Sequence, residues 1–233
     1  MARLTRKELK SDKFALEVQH SVEYVSDHRK QLIRWGGIGA GVLLVVVAIF
    51  LYRTHEHQAR EEALYQAMRA DNARVGNSAN EFELSFPTDA EPIKAAKKLF
   101  AEVAAKYPGT EEGAVADYFL GAYAADDGNL PEAEKHLKVA ADASGPYNAM
   151  AKLTLARVYG AEGKRAEGEK LIQSVIEHPT ILVSKDEATI ELAALIGKSD
   201  LPRARKLLEP LRTSSRPNVS RAAINGLSEL SEK

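Results

Sequence analysis

The hydrophobic pattern of the chain is dominated by one uncharged run of eighteen residues, WGGIGAGVLLVVVAIFLY, between Arg34 and Arg53. As an α-helix rising about 1.5 Å per residue, this run would be roughly 27 Å long, close to the ~30 Å hydrocarbon core of a bilayer. Trp35 and Tyr52 stand at its two ends, where amphipathic rings prefer the headgroup region. The pattern predicts a transmembrane helix over residues 35–52 and disfavours the buried helix of a large soluble core.

Small and large apolar side chains repeat at a period of 35 residues in the second half of the chain. Each copy has a small residue, a glycine at a turn, a second small residue and then a large apolar residue. These positions are Gly121, Gly128, Ala133 and Leu137 in one copy, and Ala156, Gly163, Gly168 and Ile172 in the next. Two further copies match in part, at Ala96 and Phe100 and at Ala204 and Leu208. The spacing predicts antiparallel helical hairpins, because small residues let two helices approach while large ones fill the seam.

This spacing resembles the tetratricopeptide repeat, in which a Leu-Gly pair, a tyrosine, Ala-x3-Phe and a proline recur within about 34 residues. Leu120, Gly121 and Ala133 match that pattern. The chain departs from it where Gly168 replaces an alanine and where the repeats lack the pattern's tryptophan. The predicted fold is all-α: one N-terminal transmembrane helix, then a tetratricopeptide-like array of helical hairpins, an α-solenoid, over residues 90–233.

Polar residues mark where the predicted helices begin. Asn129 and Asp200 each precede a Leu-Pro pair and are predicted N-caps, since proline suits the first helical turn. Capping-box spacing occurs at Ser184/Glu187 and at Thr88/Glu91. We expect a last helix over about residues 217–231 to close the array, and almost no β-structure.

Two predicted segments flank the span. Residues 1–34 form an N-terminal segment in which apolar residues of 5–34 fall on one stripe at helical spacing. Two interpretations stay open: an amphipathic helix that rests on anionic lipid or a partner, and a solvated helix that leads into the span. Residues 53–89 form a juxtamembrane helix and a loop. We expect the helix, over 53–73, to pair with residues 90–106, and the aromatic loop residues to pack on that hairpin.

The charges beside the span predict its orientation. Residues 1–34 contain eight Lys and Arg against five acidic residues, whereas residues 53–72 contain three Arg. Because Lys and Arg next to a span tend to stay in the cytoplasm, the N-terminus is predicted to be cytoplasmic and the repeat domain to lie outside. The apolar run begins only at residue 35 and is not followed by a small-residue cleavage site, so we expect an uncleaved anchor.

Composition argues against several classes of function. A net charge of −1 offers no basic surface for nucleic acid. The chain has no cysteine, no phosphate-binding glycine loop, no GxSxG elbow and no HExxH motif. His55 and His57 are two residues apart and would point to different faces of a helix, which disfavours a metal site. We therefore expect no enzymatic activity, no cofactor, no metal and no small-molecule substrate.

The predicted binding surface lies on the first helix of each hairpin, which tetratricopeptide arrays present on a concave face. In this register the candidate residues are Tyr118, Ala122, Ala125, Leu153, Arg157 and Gly160. These residues are chemically mixed and most have small side chains. They do not include the lysines and asparagines with which related repeats clamp an acidic C-terminal peptide. A shallow, partly apolar groove for an unfolded segment or a partner helix fits better. Within the span, Gly37 and Gly41 have GxxxG spacing, which suits close packing of another membrane helix.

The whole layout resembles the bacterial ancillary SecYEG translocon subunits, the YfgM-like proteins. The resemblance is carried by the span at GGIGAGVLL, the juxtamembrane helix at YRTHEHQAREEALYQAM and the repeats, and it covers roughly residues 30–230. It implies a periplasmic domain that associates with the SecYEG translocon and with a membrane-anchored periplasmic chaperone, and that helps to hand on emerging polypeptides. It implies no catalytic residues.

The leading hypothesis is a single-pass protein of the bacterial inner (cytoplasmic) membrane whose periplasmic repeat domain binds the translocon, its chaperones or client polypeptides. The alternative is a structural scaffold for an envelope or cell-division complex, which would use the same array without a client. Binding of unfolded polypeptide separates the two, because a scaffold should bind none.

Overall fold

The computed structural model describes residues 29–75, 85–86 and 90–231. Its α-helices are α1 (Arg29–Asp71), α2 (Ala90–Lys106), α3 (Glu111–Asp126), α4 (Leu130–Asp142), α5 (Asn148–Ala161), α6 (Arg165–Glu177), α7 (Lys185–Ile196), α8 (Leu201–Leu208) and α9 (Pro217–Glu229). A 3₁₀-helix over Glu209–Thr213 follows α8. Two strands of two residues each, β1 (Arg74–Val75) and β2 (Ser85–Phe86), pair in parallel. The all-α prediction is confirmed for the described residues.

Three predictions from the sequence fall outside the described residues. The apolar stripe of the N-terminal segment lies mostly within residues 1–28. The capping box at Thr88 lies just before α2, in a stretch that is not described. The loop residues Phe82 and Leu84 precede β2 and are not described either.

The chain divides into two compact units, Met1–Gln58 and Ala59–Lys233. In the first unit, α1 carries the uncharged run, and its apolar side chains are exposed: Ile38, Leu44 and Phe50 are each more than half accessible. None of the membrane-length apolar window is buried. Water is a poor solvent for such a surface, whereas a lipid bilayer accommodates it. The described chain thus has one N-terminal helix that is long and apolar enough to span a membrane.

The described residues of the second unit form four consecutive helical hairpins. The end of α1 shares an apolar cluster with α2, and the other pairs are α3 with α4, α5 with α6, and α7 with α8. The first hairpin buries Ala67 and Ala70 of α1 in one cluster with Ala96 and Phe100 of α2, as the sequence predicts. Helix α9 packs on α7, α8 and the 3₁₀-helix at the other end. Each hairpin therefore buries its apolar face mainly against the next one along the chain.

Close packing within a hairpin depends on small residues. A Cβ atom at Gly121 of α3 would lie 2.6 Å from Cγ of Leu137 in α4. A Cβ atom at Gly168 of α6 would lie 2.9 Å from the carbonyl oxygen of Ala156 in α5. A larger side chain at either position would force the paired helices apart. The order of small and large residues in the repeat is thus the signature of one helix packing on its neighbour.

Glycines in the left-handed region form the turns of the two middle hairpins. Gly128, between α3 and α4, has a φ of 75°, and Gly163, between α5 and α6, has a φ of 81°. Glycine adopts this conformation without the steric cost of a Cβ atom. The 35-residue spacing of these glycines therefore marks the turns of the second and third hairpins.

The predicted helix starts are confirmed where the structure describes them. The side chains of Asn129 and Asp200 accept hydrogen bonds from the first turns of α4 and α8. At the start of α7, the Glu187 N–H donates to Ser184 Oγ at 3.3 Å, and the Ser184 N–H donates to the Glu187 carboxylate at 2.7 Å. Thr110, which the sequence reasoning did not single out, caps α3.

Candidate functional site

Two adjoining cavities lie along the first helices of the last three hairpins. One has a volume of about 230 Å³ and is lined by α3, α5, α7 and the loop before α7. The other has a volume of about 380 Å³ and lies between α5, α6 and α7. Arg157 of α5 and Glu191 of α7 line both cavities, which therefore meet at this pair. We call the two cavities together the central groove.

The pair at the middle of the central groove is a forked ion pair. The Arg157 Nε–H donates to Glu191 Oε2 at 2.9 Å, and Nη2 donates to Oε1. The Glu191 carboxylate raises the pKa of the Arg157 guanidinium above its ordinary value, although burial opposes this. Two parallel hydrogen bonds fix the guanidinium plane. The pair thus joins the third and fourth hairpins and holds a charged group in a defined position in the groove.

The first cavity combines aromatic, apolar and hydroxyl groups. The Tyr118 ring lies 5.3 Å from the Tyr147 ring, measured between centroids, and is part of an aromatic cluster with Phe119. Burial raises the pKa of the Tyr118 phenol, more than the hydrogen bond with Thr154 lowers it. Met150 completes the wall on α5. This surface can accept an apolar side chain and can also form hydrogen bonds with a polar one.

The loop before α7 exposes apolar residues beside the first cavity. The Thr180 N–H donates to the Val183 carbonyl at 2.9 Å, and the Val183 N–H donates to Thr180 Oγ1 at 3.1 Å. This local turn places Leu182 in the lining of the cavity and leaves Ile181 fully exposed. Adjacent exposed apolar side chains at the rim of a groove are typical of a binding surface.

The second cavity has a floor of small and apolar residues with cations at its rim. The cavity is lined by Gly160 and Ala161 of α5 and by Ala194 and Leu195 of α7. A Cβ atom at Gly160 would lie 2.6 Å from Leu195 Cδ1, so the glycine gives that leucine its space. Besides Arg157, the cations that line this cavity are Arg165 at the start of α6 and Lys198 just after α7.

The structure brings together four of the six predicted binding residues. Tyr118, Leu153 and Arg157 line the first cavity, and Arg157 and Gly160 line the second. Leu153 is 8% exposed and belongs mainly to the core. The other two, Ala122 and Ala125, are half-buried on α3 and line neither cavity. Whether any of them contacts a partner stays a prediction.

Several lining residues were missed by the sequence reasoning. Glu187 and Glu191 lie 34 residues after Leu153 and Arg157, one residue short of the 35-residue period. Extending the period by 35 residues would have found only Leu195, which follows Gly160 at that spacing. Leu182 carries a weaker signal, a short apolar run just after a proline where no helix is predicted. Lys198 carries no periodic signal because it lies beyond the end of α7.

A third cavity, of about 490 Å³, is larger than either cavity of the central groove and lies between α2, α3 and α4. In its lining, His136 Nδ1 lies 2.6 Å from Asp117 Oδ1, and Nε2 lies 3.0 Å from Glu132 Oε1. The Lys97 ammonium donates to Asp127 at 2.5 Å. These polar groups are engaged with one another and link neighbouring helices. Their hydrogen bonds therefore serve mainly to join α2, α3 and α4.

The remaining candidates from the sequence lie on α1. Gly37 and Gly41 are exposed, and apart from the adjacent residues and the backbone of α1 itself no described heavy atom lies within 4 Å of a Cβ built at either position. Their proposed contact with another membrane helix stays a prediction. His55 and His57 both lie in the helical part of the chain. Across the described residues, histidine, aspartate and glutamate form no group of three arranged to hold a metal ion.

Comparison with known proteins identifies the family. Residues 28–180 match the tetratricopeptide repeat-like domain. The matched range runs through α1 to the end of α6, and the fourth hairpin and α9 lie beyond it. No curated protein and no solved structure matches the chain. Because the match covers about two thirds of the 233 residues, the chain belongs to the tetratricopeptide repeat-like domain family.

Proposed function

We propose that the protein is a membrane-anchored interaction module whose central groove binds a partner or client polypeptide. The observation that carries this proposal is the central groove itself, an open surface on the first helices of the hairpins with apolar walls and a few fixed charges. Grooves of this kind bind extended or helical segments, with apolar pockets for affinity and polar groups for register. Tetratricopeptide-like arrays are typically interaction modules without catalytic activity.

The finer proposal is an accessory role at the Sec translocon. The positive charges before the span support a cytoplasmic N-terminus and a periplasmic array in a bacterial inner membrane. The resemblance to the ancillary SecYEG subunits supports the translocon and a membrane-anchored periplasmic chaperone as partners. A groove that accepts unfolded segments suits the transfer of emerging polypeptides.

Site-specific photocrosslinking in native membranes tests the proposed function. A photoreactive residue at Thr154, in the first cavity, should crosslink to a translocon subunit, a periplasmic chaperone or an exported polypeptide. The matched control is Lys170, which is exposed on α6 and does not line the central groove. No crosslink from Thr154 beyond the control level would contradict the proposal. Crosslinks to envelope or cell-division components alone would favour the scaffold.

Cysteine labelling tests the proposed orientation. The natural chain contains no cysteine, so Ser11→Cys and Lys170→Cys each introduce a single thiol. In spheroplasts, a membrane-impermeant maleimide should label Lys170→Cys directly and Ser11→Cys only after lysis. The opposite pattern would establish the reverse topology.

A further inference from the structure

The two ends of the central groove carry opposite charge. The first cavity is lined by one cation, Arg157, and by two carboxylates, Glu187 and Glu191. The second cavity is lined by three cations, Arg157, Arg165 and Lys198, and by one carboxylate, Glu191. Since Arg157 and Glu191 form an ion pair with each other, the remaining charges decide the contrast. One end of the groove is therefore acidic and the other basic.

The cations at the basic end are available to a ligand. Arg165 and Lys198 are exposed, and within the described part of the chain neither forms an ion pair. Arg203, at the start of α8, differs in this respect because it is paired with Glu169. Two unpaired cations at the rim of an apolar floor favour carboxylates that flank an apolar side chain.

The acidic end of the central groove favours different ligand groups from the basic end. Glu187 is held at the start of α7 by its capping box, so its charge has a fixed position. A carboxylate of a ligand placed there would be repelled, whereas an apolar side chain would meet Tyr118, Met150 and Leu182. The groove thus favours apolar groups of a ligand at its acidic end and carboxylates at its basic end.

We infer that the central groove binds an apolar polypeptide segment with acidic residues at one end only, oriented so that those residues lie between Arg165 and Lys198. The inference rests on the proposed function and adds the chemistry and direction of the bound segment. An internal segment of a polypeptide can be such a ligand, because the recognised groups are side-chain carboxylates and not a chain terminus. A nucleic acid fits poorly, since carboxylates share the groove and its floor is apolar.

Two synthetic peptides test the inference. Both contain leucines in the middle and serines at one end, and they differ only in carrying glutamates or glutamines at the other end. Fluorescence anisotropy with the full-length protein in detergent micelles should show about tenfold tighter binding of the glutamate peptide at low salt. Because Arg165 and Lys198 are exposed, added salt should reduce the difference.

Matched variants locate the effect. Arg165→Ala combined with Lys198→Ala should remove the preference for glutamate. Lys170→Ala combined with Lys206→Ala removes the same charge from exposed positions outside the groove and should preserve the preference. A third peptide with glutamates at both ends should bind more weakly than the one-ended peptide, because Glu187 and Glu191 face its second acidic end.

Equal affinity for the glutamate and glutamine peptides, absence of binding by both, or an equal loss in the two double variants would overturn the inference. Each of these results leaves the crosslinking test of the proposed function standing. Failure of the proposed function has a separate signature, the absence of crosslinks from Thr154 in native membranes. Circular dichroism of both double variants checks that the array is folded.

Discussion

Single residues act in this protein mainly through the space they leave and the hydrogen bonds they complete. Gly121 leaves the space in which Leu137 packs, and Gly160 leaves space for Leu195. The Tyr123 hydroxyl donates to an Asp71 carboxylate oxygen and so joins α3 to the end of α1. Such effects are local, so each can be tested by one substitution.

Replacing Gly121 by alanine should destabilise the array. The added Cβ would meet the Leu137 backbone nitrogen at 3.0 Å as well as its side chain, so α3 and α4 must separate. Overpacking of this kind costs about 1–3 kcal/mol. Gly160→Ala is the matched control, because its Cβ would meet only the flexible end of Leu195. Thermal unfolding of the full chain in micelles measures both, and equal stability of the two variants would contradict the packing argument.

Tyr123 should make the stability of the array depend on alkaline pH. Burial, followed by the hydrogen bond to Asp71, raises the pKa of its phenol above the ordinary value. The stability it contributes is therefore fully present below the ordinary tyrosine pKa of about 10, and is lost as the pH rises through the raised value. Tyr123→Phe should cost about 1 kcal/mol at neutral pH and should lose less stability than the natural chain at alkaline pH.

The pH series needs a control tyrosine. Tyr65→Phe alters an exposed ring on α1 and should leave the free energy of unfolding nearly unchanged at neutral pH. Chemical unfolding of the three proteins at neutral and alkaline pH gives the comparison. If the stability of Tyr123→Phe and of the natural chain fell in parallel with rising pH, the Tyr123 phenol would not be the source of the alkaline pH dependence.

At the scale of elements, several helices are delimited by their own terminal residues. Ser184 and Glu187 begin α7 and Asn129 begins α4, while glycines with positive φ form the turns of the second and third hairpins. These signals are local in sequence and were predicted from it. Glu187 also lines the central groove, so the start of α7 links the stability of a helix to the charge of the candidate site.

Removal of the Ser184 cap should destabilise α7 from its N-terminal end. Ser184→Ala leaves the Glu187 N–H without its side-chain acceptor and should cost about 1 kcal/mol. Ser184→Gly should cost only a few tenths, because glycine lets water reach the same group. Hydrogen exchange should become faster in the first turn of α7 in the alanine variant. Equal hydrogen-exchange rates in the first turn of α7 for Ser184→Ala and Ser184→Gly would show that the cap contributes little.

At the scale of the whole molecule, the described part of the array has three apolar clusters arranged in chain order. One joins the first hairpin to α3, one joins the second and third hairpins, and one runs from the third hairpin to α9. Neighbouring hairpins share a cluster, whereas distant hairpins do not. Stability in such an array is close to a sum of terms for each hairpin and each interface.

A core substitution should therefore act on one part of the array. Leu192 is buried in the last cluster, and Leu192→Ala should cost about 2–5 kcal/mol. Hydrogen exchange should speed up in α7, α8 and α9 much more than in α2 and α3. Leu201→Ala changes a partly exposed leucine of α8 and should cost much less. A uniform loss of protection along the chain would indicate one cooperative unit in place of linked hairpins.

The sequence by itself determined the parts of this protein that depend on neighbours along the chain. An uncharged run of eighteen residues identifies the apolar helix, because exposing so many apolar side chains to water is unfavourable. Periodic small and large residues, caps and turn glycines place the helices of the array. Each of these signals reports local conformation or which face of one helix is buried.

Only the tertiary structure decided which side chains from different hairpins meet. The pairing of Arg157 with Glu191, the entry of Leu182 into the first cavity and the position of Lys198 depend on how successive hairpins stack and on a loop without periodicity. For the same reason Ala122 and Ala125, though in register, line neither cavity. Periodicity specifies the face a helix presents, but the angle between hairpins determines what that face encloses.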